Sequence, residues 1–202
     1  MKKLQKAFLS CPMTWGRVLL FAVIAAVYTG LIMVPKALAN TSFQDIGTYP
    51  DPWLVFAVFI VMNCKKPLDA AVKCFVFFLV SQPLIYLIQV PFTLLGWGIF
   101  MYYKRWFIAT LFTFPAAIIA FMVKKKSWFS AVILSGATAV LGCMGAIYLR
   151  WCLNAFPHHL LSVLFDFGFA LFFSFALTED KKKRLLPLAA TALGILAAII
   201  LG

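Results

Sequence analysis

Long apolar segments separated by short polar stretches run through almost all of this sequence. A helix needs roughly 17–25 apolar residues to cross a bilayer, and most of the segments lie at or near this length. The segment 52–62 is too short, so we predict a short or tilted helix there, or a re-entrant piece between its neighbours. Apolar and polar residues do not alternate with a period of two, which favours helices over a membrane β-barrel. The segments are 18–34, 52–62, 70–90, 106–123, 128–149, 160–177 and 185–201.

The composition makes lipid the expected solvent of the chain. Hydrophobic residues make up 64% of it and charged residues 12%, whereas soluble domains are about half apolar and a quarter charged. Such a chain cannot cover a water-facing surface with polar side chains. The predicted fold class is therefore all-α, a polytopic transmembrane helix bundle of about seven spans. We expect a single integral membrane domain over residues 1–202, with 36–51 as an outer loop and no soluble domain.

Basic residues cluster between the apolar segments and give the chain a net charge of +12. With seven spans and a cytoplasmic N-terminus, fourteen Lys and Arg residues fall on the cytoplasmic side and four on the outer side. The positive-inside rule therefore predicts that the N-terminus is cytoplasmic and the C-terminus is outside, in the cytoplasmic membrane of a prokaryote-like cell. The basic residues form no face with interleaved aromatic residues, so nucleic acid is not an expected partner.

Asp166 is the only acidic residue well inside an apolar segment. Inserting an Asp at the middle of a membrane helix costs roughly 2.5–3.5 kcal/mol, so the carboxylate should face a partner or water. His159, Ser162 and Asp166 share one helix face, because they lie at offsets of 0, 3 and 7 residues. Arg150 is the predicted partner of Asp166. The alternative is an Arg–Asp pair that only holds two helices together.

A second polar face lies on the third segment, where Gln82, Tyr86 and Gln89 have offsets of 0, 4 and 7 residues. Buried amides need hydrogen-bond partners, which are either other helices or a ligand. Together the two faces predict one polar pocket that opens outward, is covered by the loop 36–51, and binds a small solute. The candidate contacts in that loop are Asn40, Gln44, Asp45, Tyr49 and Asp51.

Small residues recur at three- and four-residue intervals in three segments, a spacing that lets membrane helices approach closely. We interpret them as sites of packing within the chain. The alternative is docking onto a separate membrane subunit or a second copy of the chain. The residues are Ala22, Ala26 and Gly30, then Ser135, Ala139, Gly142 and Ala146, then Ala190, Gly194 and Ala198.

The cysteines and histidines carry no recognisable catalytic or metal-binding motif. The five cysteines form no CxxC pair and no ligand spacing with His158 or His159. We therefore predict free thiols, no metal site and no cofactor. A nucleophilic pair of Cys152 and His159 is the one arrangement that favours a small intramembrane enzyme, and we consider an enzyme less favoured than a binding protein.

The first segment and the loop after it carry a resemblance to a known family. In its size, in the four-residue spacing of Ala22 and Ala26, and in its long first outer loop, the chain resembles the membrane substrate-binding subunits of energy-coupling-factor vitamin transporters. The resemblance implies a protein that binds a small solute and has no ATPase of its own. Members of that family usually have six spans with both termini in the cytoplasm, so the seven spans predicted here are a departure.

Two main functions follow from these patterns. The favoured one is binding or transport of a small solute through the outward-opening pocket. The runner-up is a membrane accessory protein that transports nothing and packs against another subunit for assembly or regulation. A polar, water-accessible cavity would favour the first, whereas a dry interior with an exposed face of small residues would favour the second.

Overall fold

The computed structural model describes residues 2–178 and 180–201, with side chains for 5–178 and 180–200, and contains no strand within those ranges. Five helices are long and apolar enough to cross a membrane, namely α2, α5, α6, α7 and α9, and α4 and α8 are shorter apolar helices. The described helices are α1 (Lys2–Leu9), α2 (Trp15–Ile32), α3 (Ser42–Thr48), α4 (Pro50–Met62), α5 (Pro67–Gln89), α6 (Tyr103–Phe121), α7 (Trp128–Asn154), α8 (Leu160–Ala176) and α9 (Lys181–Leu201). The all-helical, multi-span character that the apolar segments predict is therefore present.

Helix α4 is the short second segment. Its 13 residues span about 20 Å at 1.5 Å per residue, less than the roughly 30 Å of hydrocarbon in a bilayer. Pro50 begins α4 and Pro67 begins α5, each in the first helical turn, where a missing backbone N–H costs nothing. Pro67 thus ends the short connection between α4 and α5, residues 63–66, and Pro50 ends the connection that precedes α4.

The connection 36–51 is more ordered than a loop. It contains a 3-10 turn at Lys36–Leu38, the whole of α3, and the first residues of α4. Helix α3 lies against the start of α8, because the backbone N–H and the Oγ of Ser42 both donate to the carbonyl of His158, at 2.6 and 2.9 Å. We call the part of the bundle around α3 and residues 155–159 the pocket end.

The turns rich in lysine meet at the opposite end of the bundle, which we call the basic end. Lys124 Nζ donates to the carbonyl of Cys64, and Lys183 Nζ donates to the carbonyl of Lys126 at 2.9 Å. The apolar helices of the described chain therefore run alternately between the two ends. Helices α2, α5 and α6 form one group and α7, α8 and α9 another, with α3 and α4 between the groups.

Helix α1 was not predicted, because eight residues with three lysines leave no signal in a search for long apolar segments. Asn63 ties it to the bundle. The side-chain amide of Asn63 donates to the carbonyl of Phe8 at 2.8 Å, and its oxygen accepts from the N–H of Cys11 at 3.1 Å. The ring of Phe8 also contacts the ring of Phe172 on α8, with centroids 5.1 Å apart.

Small residues bring two pairs of helices into close contact within the chain. A Cβ at Gly30 would lie 2.8 Å from Ile88 Cγ2, so α2 and α5 meet where Gly30 has no side chain. A Cβ at Gly142 would lie 2.5 Å from the carbonyl oxygen of Thr191, and one at Gly194 would lie 2.1 Å from that of Ala139, so α7 and α9 are similarly close. These glycines serve packing within the chain, as the sequence predicted.

Candidate functional site

A buried network joins α3 to the start of α8 at the pocket end. Asp45 Oδ2 accepts a hydrogen bond from Ser162 Oγ at 2.7 Å and lies 2.7 Å from His159 Nδ1. The backbone N–H of Ser162 donates to Ser42 Oγ at 3.2 Å. Asp45, Ser162 and His159 are all buried. The stripe predicted on the sixth segment therefore finds its partner in the 36–51 connection.

Aromatic rings surround the histidine of this network. The rings of Tyr148 and His159 are nearly parallel, with an interplanar angle of 9° and centroids 6.5 Å apart. The ring centroids of Trp151 and His159 are 5.4 Å apart, and those of Tyr49 and Tyr148 are 5.8 Å apart. Burial, followed by the nearby carboxylates, raises the pKa of Tyr49 above its ordinary value of 10.0, so this residue presents a neutral hydroxyl.

Two further acidic side chains, Asp51 and Asp166, lie deeper in the bundle than the Asp45–His159 pair. Asp51 is 1% exposed and Asp166 is 0% exposed. Tyr148 donates its hydroxyl to Asp51 Oδ1 at 3.2 Å. One turn earlier on α7, a Cβ at Gly145 would lie 3.2 Å from Asp166 Cβ, so Asp51 and Asp166 lie against the same face of α7. In the described part of the chain, no N–H and no hydroxyl donates to either oxygen of Asp166.

A cavity of about 480 Å³ lies directly against the Asp45–His159 pair. Four of the five residues that we predicted to contact a solute from the 36–51 connection line this cavity, and the fifth, Asp51, lies beneath it. None of the described side chains that line it is Lys or Arg. Besides Asp45 and His159, the polar and aromatic walls are formed by Asn40, Gln44, Asn154, Tyr49 and Trp151.

The second predicted polar face does not reach this cavity. Gln82, Tyr86 and Gln89 line a separate cavity of about 110 Å³, between α2, α5 and the start of α6. The expectation of one shared pocket is therefore wrong, because α3 stands between the two faces and its Thr48 lines both cavities. Gln82 is buried, and its side-chain nitrogen has no hydrogen-bond partner among the residues that the structure describes.

Arg150 is not the partner of Asp166, contrary to the prediction. Its side chain is exposed, and no ion pair joins it to an acid in the described chain. Arg150 lies two positions after Tyr148, about 200° further around α7. Since Tyr148 faces Asp51 in the interior, Arg150 must point outward.

Tyr148 is the most central of the site residues that the sequence did not identify, which also include Ser42, Thr48, Trp151 and Asn154. It is fully buried and links the Asp45–His159 pair to Asp51, because it stacks on His159 and donates to Asp51. The signal available in the sequence was a tyrosine inside an apolar segment, since a buried tyrosine hydroxyl usually has a hydrogen-bond partner. Asp45 and Asp51 were identified, but only as contacts from a loop.

The pair of Cys152 and His159, which would favour an enzyme, is not formed. Cys152 is buried and its thiol is free, as are the thiols of the other cysteines. No hydrogen bond joins Cys152 to His159, whose Nδ1 faces Asp45 instead. Among the described residues, no group of three or more His, Cys, Asp or Glu side chains is placed to hold a metal ion.

Comparison with family models, with curated proteins and with solved structures finds no match to this chain. The resemblance to vitamin-transporter subunits thus gains no support from these comparisons. The function must therefore be argued from the chemistry of the pocket end.

Proposed function

We propose that this chain is a multi-pass protein of the cytoplasmic membrane that binds or transports a small polar solute in the cavity of the pocket end. The observation that carries the proposal is the cavity itself. Its volume of about 480 Å³ falls in the range of small-molecule sites, roughly 300–1,000 Å³. It also combines apolar rings with a few convergent polar groups, which is the usual make-up of such sites.

The lining favours a solute that carries an amino group or another cationic group. Asp45 Oδ2 is occupied by Ser162 and His159, whereas Oδ1 makes no hydrogen bond with the described residues and is free to accept one from a solute. Tyr49 and Trp151 offer ring faces that attract cations. No Lys or Arg stands among the described residues of the lining, so none of them offers a fixed cation to an anionic solute.

We further propose seven membrane crossings, with the N-terminus in the cytoplasm and the pocket end outside. The lysine-rich turns meet at the basic end, which the positive-inside rule assigns to the cytoplasm. Helix α4 is short for a crossing, but it lies between the two groups of helices, where its ends need not reach the lipid surface. Reporter enzymes fused to the C-terminus test the orientation. Measured activity from a reporter that works only in the cytoplasm would contradict the proposed orientation.

Solute binding is best tested on the purified protein in lipid nanodiscs. We expect some members of a panel of small amines, amino acids and vitamins to raise the thermal unfolding temperature. Asp45→Asn should abolish the response because it removes the carboxylate that faces the cavity. Asn154→Trp should also abolish it, because a large side chain at this exposed position obstructs the cavity while leaving the buried network intact.

The matched control is Asp180→Asn, which removes an exposed carboxylate at the basic end. This variant should respond to solutes like the original chain. A response that persists in both Asp45→Asn and Asn154→Trp would place the solute elsewhere and overturn the proposal. So would a panel that produces no response from a well-folded protein.

The accessory-protein alternative receives less support. The apolar side chains exposed on α2, α6 and α9 are compatible with lipid and need no partner subunit to cover them. A polar cavity of this size would have no use in a protein that serves only as a packing surface. An accessory role would also predict no change in stability with any solute.

A further inference from the structure

We infer that Asp51 and Asp166 form a proton-binding site beneath the cavity of the pocket end. The site goes beyond the proposed function and does not depend on it, because its ligand is a proton whatever the solute is. It consists of one carboxyl from the first turn of α4 and one from the interior of α8. Their burial, their position against one face of α7 and their lack of cationic partners in the described chain carry the inference.

Asp166 is the decisive residue. It is fully buried, and neither of its oxygens receives a hydrogen bond from an N–H or hydroxyl group of the described chain. An ionised carboxylate left in this state would carry the full cost of desolvation. The Asp51 carboxyl lies against the same face of α7 as Asp166, and two carboxyls can form a hydrogen bond only if one of them holds a proton.

Electrostatic repulsion leads to the same conclusion. Two like charges about 4 Å apart repel by roughly 4 kcal/mol even at an effective dielectric constant of 20. Paired carboxyl groups in proteins therefore bind one proton between them instead of ionising together. Tyr148 stabilises the charge that remains, because it donates its hydroxyl to Asp51 Oδ1 at 3.2 Å.

No Lys or Arg of the described neighbouring helices supplies a positive charge in place of the proton. Helix α7 contributes the neutral Tyr148, and α3 contributes Asp45, whose negative charge acts on both carboxyls. His159 at the start of α8 is engaged with Asp45. No Lys or Arg of the described chain forms an ion pair with Asp51 or Asp166.

The geometry favours a proton over a metal ion. Neither carboxyl lines the cavity of about 480 Å³ or that of about 110 Å³. Helix α7 also packs closely on Asp166, since a Cβ at Gly145 would lie only 3.2 Å from Asp166 Cβ. A metal ion with its shell of ligands needs space at this position, whereas a proton needs none.

Protons would reach the pair from the pocket end. The polar groups between the cavity and Asp166 are the Asp45–His159 pair, Tyr148 and Asp51. In the other direction, Ala170 and Phe173 lie on the same face of α8 and are buried and apolar. Polar side chains thus lead from the pair toward the pocket end, whereas apolar side chains lie on its other side.

Infrared spectroscopy of the protein in nanodiscs tests the site directly. We expect the carbonyl stretch of a protonated carboxylic acid at neutral pH, and we expect it to shift when H₂O is replaced by D₂O. Asp166→Asn should remove this band, and Asp51→Asn should remove it or shift its frequency, because an amide of the same shape holds each position without the shared proton. Asp180→Asn is the control and should leave the band in place.

Tyr148→Phe provides a variant that keeps both carboxyls. It should retain the band at a changed frequency, because the hydrogen bond to Asp51 is lost. A wild-type spectrum without a protonated carboxyl band at neutral pH would overturn the proposal. So would a band that both Asn variants leave unchanged. Since no solute is added, these results do not depend on whether the cavity binds one.

Discussion

Replacing Gly194 with alanine should separate α9 from α7. The added Cβ would lie 2.1 Å from the carbonyl oxygen of Ala139 and 3.0 Å from the backbone nitrogen of Cys143. Both are backbone atoms of α7, so no side-chain rotation can relieve the overlap. The two helices must move apart before the methyl group is accommodated.

The size of the effect follows from the geometry. Ordinary contact begins at 3.4 Å, so the helices must separate by about 1.3 Å along this line. Overpacking of this kind costs about 1–3 kcal/mol. The separation also weakens the hydrogen bond of 2.9 Å from Thr138 Oγ1 to the carbonyl of Pro187, worth about 0.6 kcal/mol in membrane proteins. The higher helix propensity of alanine offsets at most about 1 kcal/mol of this cost. We therefore expect a net loss of about 2 kcal/mol in the free energy of unfolding.

Gly136→Ala is the matched control, since it introduces the same methyl group on α7 where nothing lies within 4 Å. It should keep the free energy of unfolding or raise it by up to about 1 kcal/mol. The measurement is reversible unfolding in mixed micelles, followed by tryptophan fluorescence and circular dichroism. Equal stability of Gly194→Ala and Gly136→Ala would show that α7 and α9 are not in backbone contact.

Three further predictions concern the basic end and the contact between α7 and α9. Asn63→Ala should cost about 1–3 kcal/mol and speed amide hydrogen exchange in α1, because Asn63 holds that helix; unchanged exchange would show that other contacts suffice. Thr138→Val should lower the free energy of unfolding by about 0.6 kcal/mol in the same micelle assay, through loss of the bond to Pro187, and a neutral result would rule this bond out as a stabilising contact. Burial raises the pKa of the Cys64 thiol to about 11. Iodoacetamide at pH 8 should therefore modify Cys64 at least about tenfold more slowly than the half-buried Cys11. The rate of Cys64 modification should rise as the pH approaches 11. Equal modification rates of Cys64 and Cys11, measured by mass spectrometry, would contradict the raised pKa of Cys64.

The apolar segments alone were sufficient to predict the main helices. Each predicted segment corresponds to one helix, and the short one at 52–62 is α4, with 13 residues. Hydrophobic length is a local property, so it can be recognised from the order of the residues. Helices α1 and α3 were not predicted because each is too short to produce such a signal.

The candidate site was predictable only in part. Helical spacing correctly placed His159, Ser162 and Asp166 on one buried face. It could not show that Asp45 would bond to two of them, because those residues lie more than a hundred positions away along the chain. The predicted partner Arg150 is exposed instead.

The sequence by itself determined that the chain is a bundle of apolar helices with a few costly polar groups inside it. Only the tertiary structure decided which of those groups meet. Helix α3 folds in between the two cavities, so it separates the cavity at Gln82 from the cavity at His159 and brings Asp45 to His159. The physical reason is that burial of apolar surface depends on composition and spacing, whereas pairing of polar groups depends on how distant segments pack.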